Sequence, residues 1–227
     1  MYCNTEVKEI SINSPHYPQG LKQLKNPPET LYVRGFLPYG RPVVAVIGAR
    51  FCSSYGRYAA RQIGMELVRE CGCSVINGMA LGIDGIAAKA ALDADGEAFA
   101  VMGCGPDVIY PPENADLYDQ LLKQGGIISQ FELGTKPMQA QFVERNELIA
   151  ALCDAVVVVE AREKSAIIDL VHKAQALGKK VFVMPGRVTD QLSKGTNALI
   201  REGAEILLDT SQVAEYFRRL SERGCVA

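Results

Sequence analysis

Residues 43–48 read Val43-Val44-Ala45-Val46-Ile47-Gly48, a continuous apolar run closed by a glycine. A strand with one face in water alternates apolar and polar residues, whereas an unbroken β-branched run marks a strand buried on both faces. Such a strand needs helices above and below it, and the following sequence supplies them. Helical periodicity runs over about 55–70, then the alternation repeats: strand Ser74-Val75-Ile76 and helix 83–94, strand 98–102 and helix 114–123, strand Ile127-Ile128. After a loop, a helix near 144–152 leads to strand 155–159 and helix 165–177. Strand 181–184, helix 196–202, strand Ile206-Leu207 and helix 211–222 complete the chain. Strands alternating with helices of this length predict an α/β fold: a doubly wound, Rossmann-like, mostly parallel sheet with helices on both faces.

Upstream, residues 1–42 carry punctuation rather than periodicity, with Pro15, Pro18, Gly20, Pro27, Pro28, Gly35, Pro38, Gly40 and Pro42 around the short apolar triplet Leu31-Tyr32-Val33. This segment is expected to be an N-terminal arm packed on a main domain of residues 43–227. No internal repeat, low-complexity tract or linker divides the rest.

Composition bounds the function. The 227 residues are 48% hydrophobic and 22% charged, ordinary globular values that exclude collagen-like, coiled-coil and disordered chains. A net charge of −2 excludes a protein coating DNA through bulk positive charge, but leaves a local basic groove open. No apolar run approaches the roughly 18 residues of a membrane span, and the start, MYCNTEVKEI, lacks a signal-peptide pattern, so a cytoplasmic location is expected. Seven cysteines, an odd number without a CxxC pair, fit neither a zinc ribbon nor a disulfide framework. They read as small buried hydrophobes in a reducing compartment. Only His16 and His172 are available for histidine acid–base chemistry. No metal site and no catalytic residue is expected.

In doubly wound sheets the ligand crevice lies beyond the carboxyl ends of the strands. The segment after the first buried strand is Gly48-Ala49-Arg50-Phe51-Cys52-Ser53-Ser54-Tyr55-Gly56. Gly48 permits a sharp turn, Ser53 or Ser54 can cap the helix, and Arg50 places a cation over its N-terminus, which together can hold a phosphate. An ordinary capped turn with an exposed arginine explains the same residues. Neither GxGxxG nor GxxxxGK[ST] occurs, so dinucleotide binding and a P-loop ATPase are not supported. The next turn, Asn77-Gly78-Met79-Ala80-Leu81-Gly82-Ile83-Asp84, keeps two glycines bare for close approach, and Asp84 reads as an acid favouring the helix start. Gly103-Cys104-Gly105-Pro106 and Tyr110-Pro111-Pro112-Glu113-Asn114 follow the third strand. The stretch Phe142-Val143-Glu144-Arg145-Asn146, after a loop holding Lys136 and Pro137, places an aromatic beside cations, as single-stranded nucleic acid needs. A core Phe142 and a salt-bridged Arg145 are the alternative.

Taken in order, these segments resemble the DprA/Smf family (DNA processing protein A). The likeness begins at His16-Tyr17-Pro18 and Leu31-Tyr32-Val33-Arg34-Gly35. It runs through the Gly48 and Gly78 turns, Gly103-Cys104-Gly105 with Asp107, Tyr110-Pro111 with Glu113-Asn114, Phe142 with Arg145-Asn146, Val159-Glu160-Ala161 and Pro185-Gly186. It ends at Gly195-Thr196-Asn197 and Gly203-Ala204. The resemblance implies a non-enzymatic, cofactor-free protein that binds single-stranded DNA, protects it during natural transformation and helps load the RecA recombinase, usually as a homodimer. It implies that Arg50, Ser53 and Ser54 hold backbone phosphates, that Lys136, Phe142, Arg145 and Asn146 line the same groove, and that Gly48, Gly78, Gly82 and Gly105 allow close approach. Leu199 and Ile200 read either as core or as a dimer surface.

Departures from the family pattern define the alternative. Asn77 stands where the family has Ser, Ala87-Ala88 where it has Ala-His, Ala90 for a Gly, Val143 for a Pro and Glu147 for an Arg. The family's Ser-Gly-Ser-Leu-Ile-Thr is Ser165-Ala166-Ile167-Ile168-Asp169-Leu170, which removes a glycine and two hydroxyls and adds an acid. Weaker phosphate binding is expected at that helix start. The extra N-terminal helical and C-terminal winged-helix domains of many relatives are not part of this sequence, which reads as a minimal or divergent member. A binder of a nucleotide-derived small ligand is the second reading. A phosphoribohydrolase would need Pro-Gly-Gly-x-Gly-Thr, whereas Pro185-Gly186 continues as Arg187-Val188. A groove carrying Arg50, Arg57, Lys136, Arg145, Arg187 and Lys194 would suit DNA; a closed pocket with Arg50 and the glycines would suit one nucleotide.

Overall fold

The computed structural model describes residues 6–222; Cys3 and Cys225 lie outside them. Strand β3, Val43–Ile47, sits inside a sheet whose order is β1-β2-β6-β5-β4-β3-β7-β8-β9. Its neighbours are β4, Ser74–Asn77, and β7, Ala155–Val158, both parallel to it. Outward on one side lie β5, Ala98–Val101, and β6, Gly125–Ser129; on the other lie β8, Lys180–Val183, and β9, Glu205–Ile206, again all parallel.

The apolar run of β3 is divided between two cores. Val44 and Val46 point into one, while Val43, Ala45 and Ile47 point into the other, as the two-residue repeat of a strand dictates. Helices α1, Ser54–Arg69, α2, Ile83–Asp93, and α3, Ala115–Gln124, cover the first face, with Phe217 of α7, Ser211–Glu222. Helices α4, Gln139–Leu152, α5, Ala166–Ala176, and α6, Lys194–Arg201, cover the second. On the first face α1 and α2 pack so closely that a Cβ on Gly64 would lie 2.4 Å from the Ala87 carbonyl oxygen.

Within the described residues, 6–42 contribute strands of their own to this sheet. Strands β1, Lys8–Ser11, and β2, Thr30–Gly35, continue it antiparallel beyond β6, with Val33 opposite Ile128. Strand β1 is polar, with Ile10 alone half-buried, so its sequence carries no alternation strong enough to announce it. Tyr17 and Leu21 are buried in the second core, and the Tyr17 hydroxyl donates to the Pro28 carbonyl at 2.7 Å.

Leu199 is fully buried and Ile200 packs against the same core, so the core reading of this pair holds. Among the described cysteines, Cys73, Cys104 and Cys153 are buried and unpaired, and burial pushes their thiols up to about 12, 11 and 12. These are packing groups, protonated at neutral pH. No helix among the described residues is long and apolar enough to cross a membrane.

Candidate nucleic-acid interface

The chain winds from β3 to β6 in one direction and from β7 to β9 in the other, so the strand order reverses between β3 and β7. At such a reversal the loops leaving two adjacent strands diverge and open a crevice. A cleft of about 730 Å³ lies there. Its walls are the β3–α1 turn (Gly48 to Phe51), Ala80 and Asp84 from the second turn, Tyr110, the first half of α4, and the β7–α5 connection with Arg162 and Ser165.

Helix α4 brings three of the sequence-identified residues together. Phe142, Arg145, Asn146 and Ile149 follow the 3, 4, 7 spacing of one helix face, and all line the cleft. The helix begins at Gln139, one turn earlier than its periodicity indicates, with no Ser, Thr, Asp or Asn cap. Gln141 accepts from the Met138 N–H at 2.9 Å instead, half of a reciprocal capping arrangement.

Phe142 is half-buried: its ring stacks on Tyr110, with centroids 5.3 Å apart, and sits against Gly103, where a Cβ would approach to 2.6 Å. The guanidinium groups of Arg50 and Arg145 each lie 5.9 Å from its centroid. Both distances fall within cation–π range. Part of the ring is thus taken up by packing, and the rest lines the cleft.

Arg145 is 6% exposed, with one amino group donating to the Val101 carbonyl at 2.7 Å. Its Nε has no partner. Gly78 makes room for it, since a Cβ there would meet Nη1 at 1.7 Å. Burial lowers Arg145 to about 10, partly offset by Asp84, and the group stays charged at neutral pH. Asp84 is the one acid in the cleft lining. It accepts from the N–H groups of Gly48 at 3.3 Å and Gly78 at 3.1 Å, tying the two turns together. Burial raises its carboxyl to about 6, against the opposing pull of Arg145, the two N–H groups and Arg50.

The second turn is held by Asn77, whose Oδ1 accepts from Met79 N–H at 2.9 Å while Nδ2 donates to the Asp84 carbonyl at 2.8 Å. That bond supports Met79 at φ 51°, a conformation costly for a non-glycine residue. Asn114 donates to the Met79 carbonyl at 2.8 Å from the other side.

Several residues expected at the site do other work. Ser53 caps α1, accepting from Gly56 N–H at 3.0 Å, but its hydroxyl and N–H both donate to the carboxylate of buried Glu160. The anion at the start of α1 is thus a side chain of the protein itself. Ser54 is exposed and, like Ser53, does not line the cleft. The bare backbone of Gly48 is filled by Ile83, and that of Gly82, at φ +77°, by the carbonyls of Ala49 and Arg50. Gly105 packs against Glu132 and Gly134. The close approaches these glycines permit are made by the chain, because turns leaving adjacent strands crowd one another. Lys136, Arg57, Arg187 and Lys194 are exposed and stand outside the cleft lining. Asn146 lines it, and its Nδ2 donates to the Ala166 carbonyl at 3.3 Å.

Two departures from the family pattern share one counter-ion. Lys173 pairs with Glu147 at 3.1 Å and with Asp169 at 3.0 Å, so both added acids sit on one cation between α4 and α5. Neither lines the cleft. Arg162 does, is exposed, and makes no ion pair among the described residues; no turn motif singles it out. Ser165 stands at the start of α5 with a buried, unpartnered hydroxyl. Among the described residues no group of three or more His, Cys, Asp or Glu side chains can hold a metal.

The fold and cleft define a class: a Rossmann-like α/β protein whose switch-point crevice gathers arginines around an aromatic ring. Its sequence narrows the class further. The family profile of DNA recombination-mediator protein A matches residues 8–218, and the chain belongs to that family. It is 32% identical to the DNA processing protein DprA of Bacillus subtilis, over 98% of this chain and 74% of that protein. With the Smf protein of Synechocystis it shares 35% over 90% of its length, but spans only about half, 52%, of that relative. The structure superposes on DprA from Streptococcus pneumoniae with a TM-score of 0.85 at 33% identity, covering 92% of this chain and 74% of that one. A Helicobacter pylori DNA processing protein A, described for its single-stranded DNA binding mode, gives 0.84 at 28%, covering 96% and 99%. A molybdenum cofactor carrier from Chlamydomonas reinhardtii shares the fold alone, with a TM-score of 0.54 at 17% identity over 81% of this chain and 99% of that one.

Proposed function

We propose that the cleft binds single-stranded DNA, with phosphates on Arg50 and Arg162 and a base against the part of Phe142 that lines the cleft, and that the chain serves as a recombination mediator. The observation that carries this reading is the convergence of Arg50, Arg145 and Arg162 on one crevice, none of them in an ion pair among the described residues. Asp84 is the one acid in the lining against these three arginines, so a phosphate backbone supplies the rest of the counter-charge, and stacking is indifferent to base identity. Family membership supports the wider role: handing DNA to RecA recombinase, protecting it in natural transformation, working as a homodimer in the cytoplasm, and doing so without catalysis. The Helicobacter pylori relative, described for its single-stranded DNA binding mode, supports the ligand, while the cleft supplies the chemistry.

The cleft volume also suits one nucleotide-sized molecule, so a nucleotide-derived ligand is the second reading. Fluorescence anisotropy of labelled oligothymidylate at low and moderate salt separates the two. Salt-sensitive binding that prefers single over double strands is the expected result. No binding at about 10⁻⁴ M protein in low salt, where even non-specific DNA contacts register, together with a thermal shift produced by nucleotides, would establish the second reading instead.

A further inference from the structure

The cleft opens onto helix α1 through Phe51, which lines the cleft yet is 83% exposed. Beyond it the outward side of α1 carries Tyr55 and Tyr58, 58% and 64% exposed. Large aromatic side chains are normally spent on packing, and three exposed in eight residues are unusual for a turn and the helix it opens. Arg57 and Arg61 are exposed beside them and make no ion pair among the described residues. From Arg50 to Met65 the sequence holds three arginines and no acid, in a chain of net charge −2. The first acid of the helix, Glu66, is tied to Thr210 at 2.8 Å, at the end remote from the cleft.

An aromatic row interleaved with unpaired arginines is the composition of a sequence-tolerant nucleic-acid track. Helix geometry gives its length: from Ser54 to Arg61 the rise is about 10 Å, room for about three stacked nucleotides at about 3.4 Å each. The inner face of the same helix is fully used, with Ala59, Ala60, Ile63 and Leu67 in the core. Tyr55 and Tyr58, mostly exposed, belong to neither core. The charge of the strip favours a polyanion over an apolar protein partner, and its continuity with the cleft at Arg50 and Phe51 specifies which one.

We propose that the outward face of α1 is a second segment of the DNA site. A strand leaving the cleft past Phe51 stacks on Tyr55 and Tyr58 while Arg57 and Arg61 hold its phosphates. This inference rests on the single-stranded DNA reading of the cleft and lengthens its footprint. It predicts that affinity grows with oligonucleotide length beyond what the cleft alone accommodates.

Anisotropy with oligothymidylates of about 6 and about 20 nucleotides tests it, the first within and the second beyond the site size of about 4–16 nucleotides for a single-strand-binding fold. The double variant Tyr55→Ala/Tyr58→Ala should bind the longer strand at least about tenfold more weakly and the shorter one as the unmodified protein does. Tyr55→Phe/Tyr58→Phe, which keeps the rings, should restore binding of the longer strand. Arg57→Ala and Arg61→Ala should each lower the salt slope for the longer strand by about one. If the alanine variant binds both lengths normally, the track is wrong and the cleft reading stands. If the unmodified protein binds neither length, the cleft reading fails and the track fails with it.

Discussion

Two helix N-termini face the crevice from opposite sides, and they differ in what satisfies them. At α1, the Glu160 carboxylate takes the N–H and hydroxyl of Ser53, so the site best suited to an anion by its sequence is filled from within. At α5, where the loss of glycine and hydroxyls argues against anion binding, the Ser165 hydroxyl is buried without a partner, and the acid of the first turn, Asp169, is paired with Lys173 outside the cleft lining. The remaining unpartnered buried side-chain atom among the described residues, Arg145 Nε, also belongs to a residue lining the cleft. A buried polar group left unbonded is costly. Binding capacity in this crevice is therefore read from the donors left over after folding, rather than from the donors a turn contains.

Emptying the filled end has the largest expected effect. Glu160→Ala strands the donors of Ser53 and should lower the unfolding free energy by about 3 kcal/mol, measured by urea denaturation. Inorganic phosphate, entering the vacated position, should recover part of that loss. A change below about 1 kcal/mol would show that the two ends are not different in this way.

Between the ends lies Asp84, whose carboxyl burial raises to about 6. Because that value exceeds the unfolded one near 3.8, the folded state takes up the proton first. The stabilisation is complete below the unfolded value and is lost as pH rises through about 6, a swing of roughly 3 kcal/mol for two pK units. Ionisation also adds a negative charge to the cleft floor, so affinity for oligothymidylate should fall several-fold between about pH 5 and pH 7. An NMR titration of the Asp84 carboxyl with a midpoint near 4 would remove this link.

On the α1 side the open group is Arg50, exposed, with its guanidinium against Phe142. Arg50→Ala should leave stability within about 0.5 kcal/mol while reducing single-stranded DNA affinity about tenfold and the salt slope by about one. Unchanged affinity would confine anion binding to the α5 side.

The contrast also marks how far the sequence could be read. Strands that must be buried on both faces announce themselves by apolar runs, so β3 to β8 and the helices between them were legible from residues 43 onward. The polar edge strand β1 was not, because an edge strand is stabilised by its partner's backbone rather than by its own side chains. At the site, Arg145 and Phe142 were legible as a helical pair of aromatic and cation. Which donors remain open was not: Glu160 reaches Ser53 across 107 positions of sequence, and the compensation of Glu147 and Asp169 by Lys173 joins two helices. The glycines stay ambiguous for the same reason, since a bare backbone does not say whether a ligand or the chain itself will occupy the space.

The smallest perturbation discriminates most. Ser165→Ala removes one hydroxyl that has no partner in the folded protein, so there is no internal bond to lose. Stability should stay within about 0.5 kcal/mol of the unmodified protein, or rise slightly as a desolvated polar group disappears. Affinity for oligothymidylate should nevertheless fall about fivefold, the loss of one hydrogen bond of about 1 kcal/mol to the bound anion. The dissociation of the two readouts is the point. A residue that serves the fold loses stability when truncated, as Glu160 should, whereas a residue held open for a ligand loses only binding. If Ser165→Ala instead costs 1 kcal/mol or more of stability, roughly the worth of an internal hydrogen bond, the start of α5 is closed like that of α1. The anion must then be held by the arginines alone.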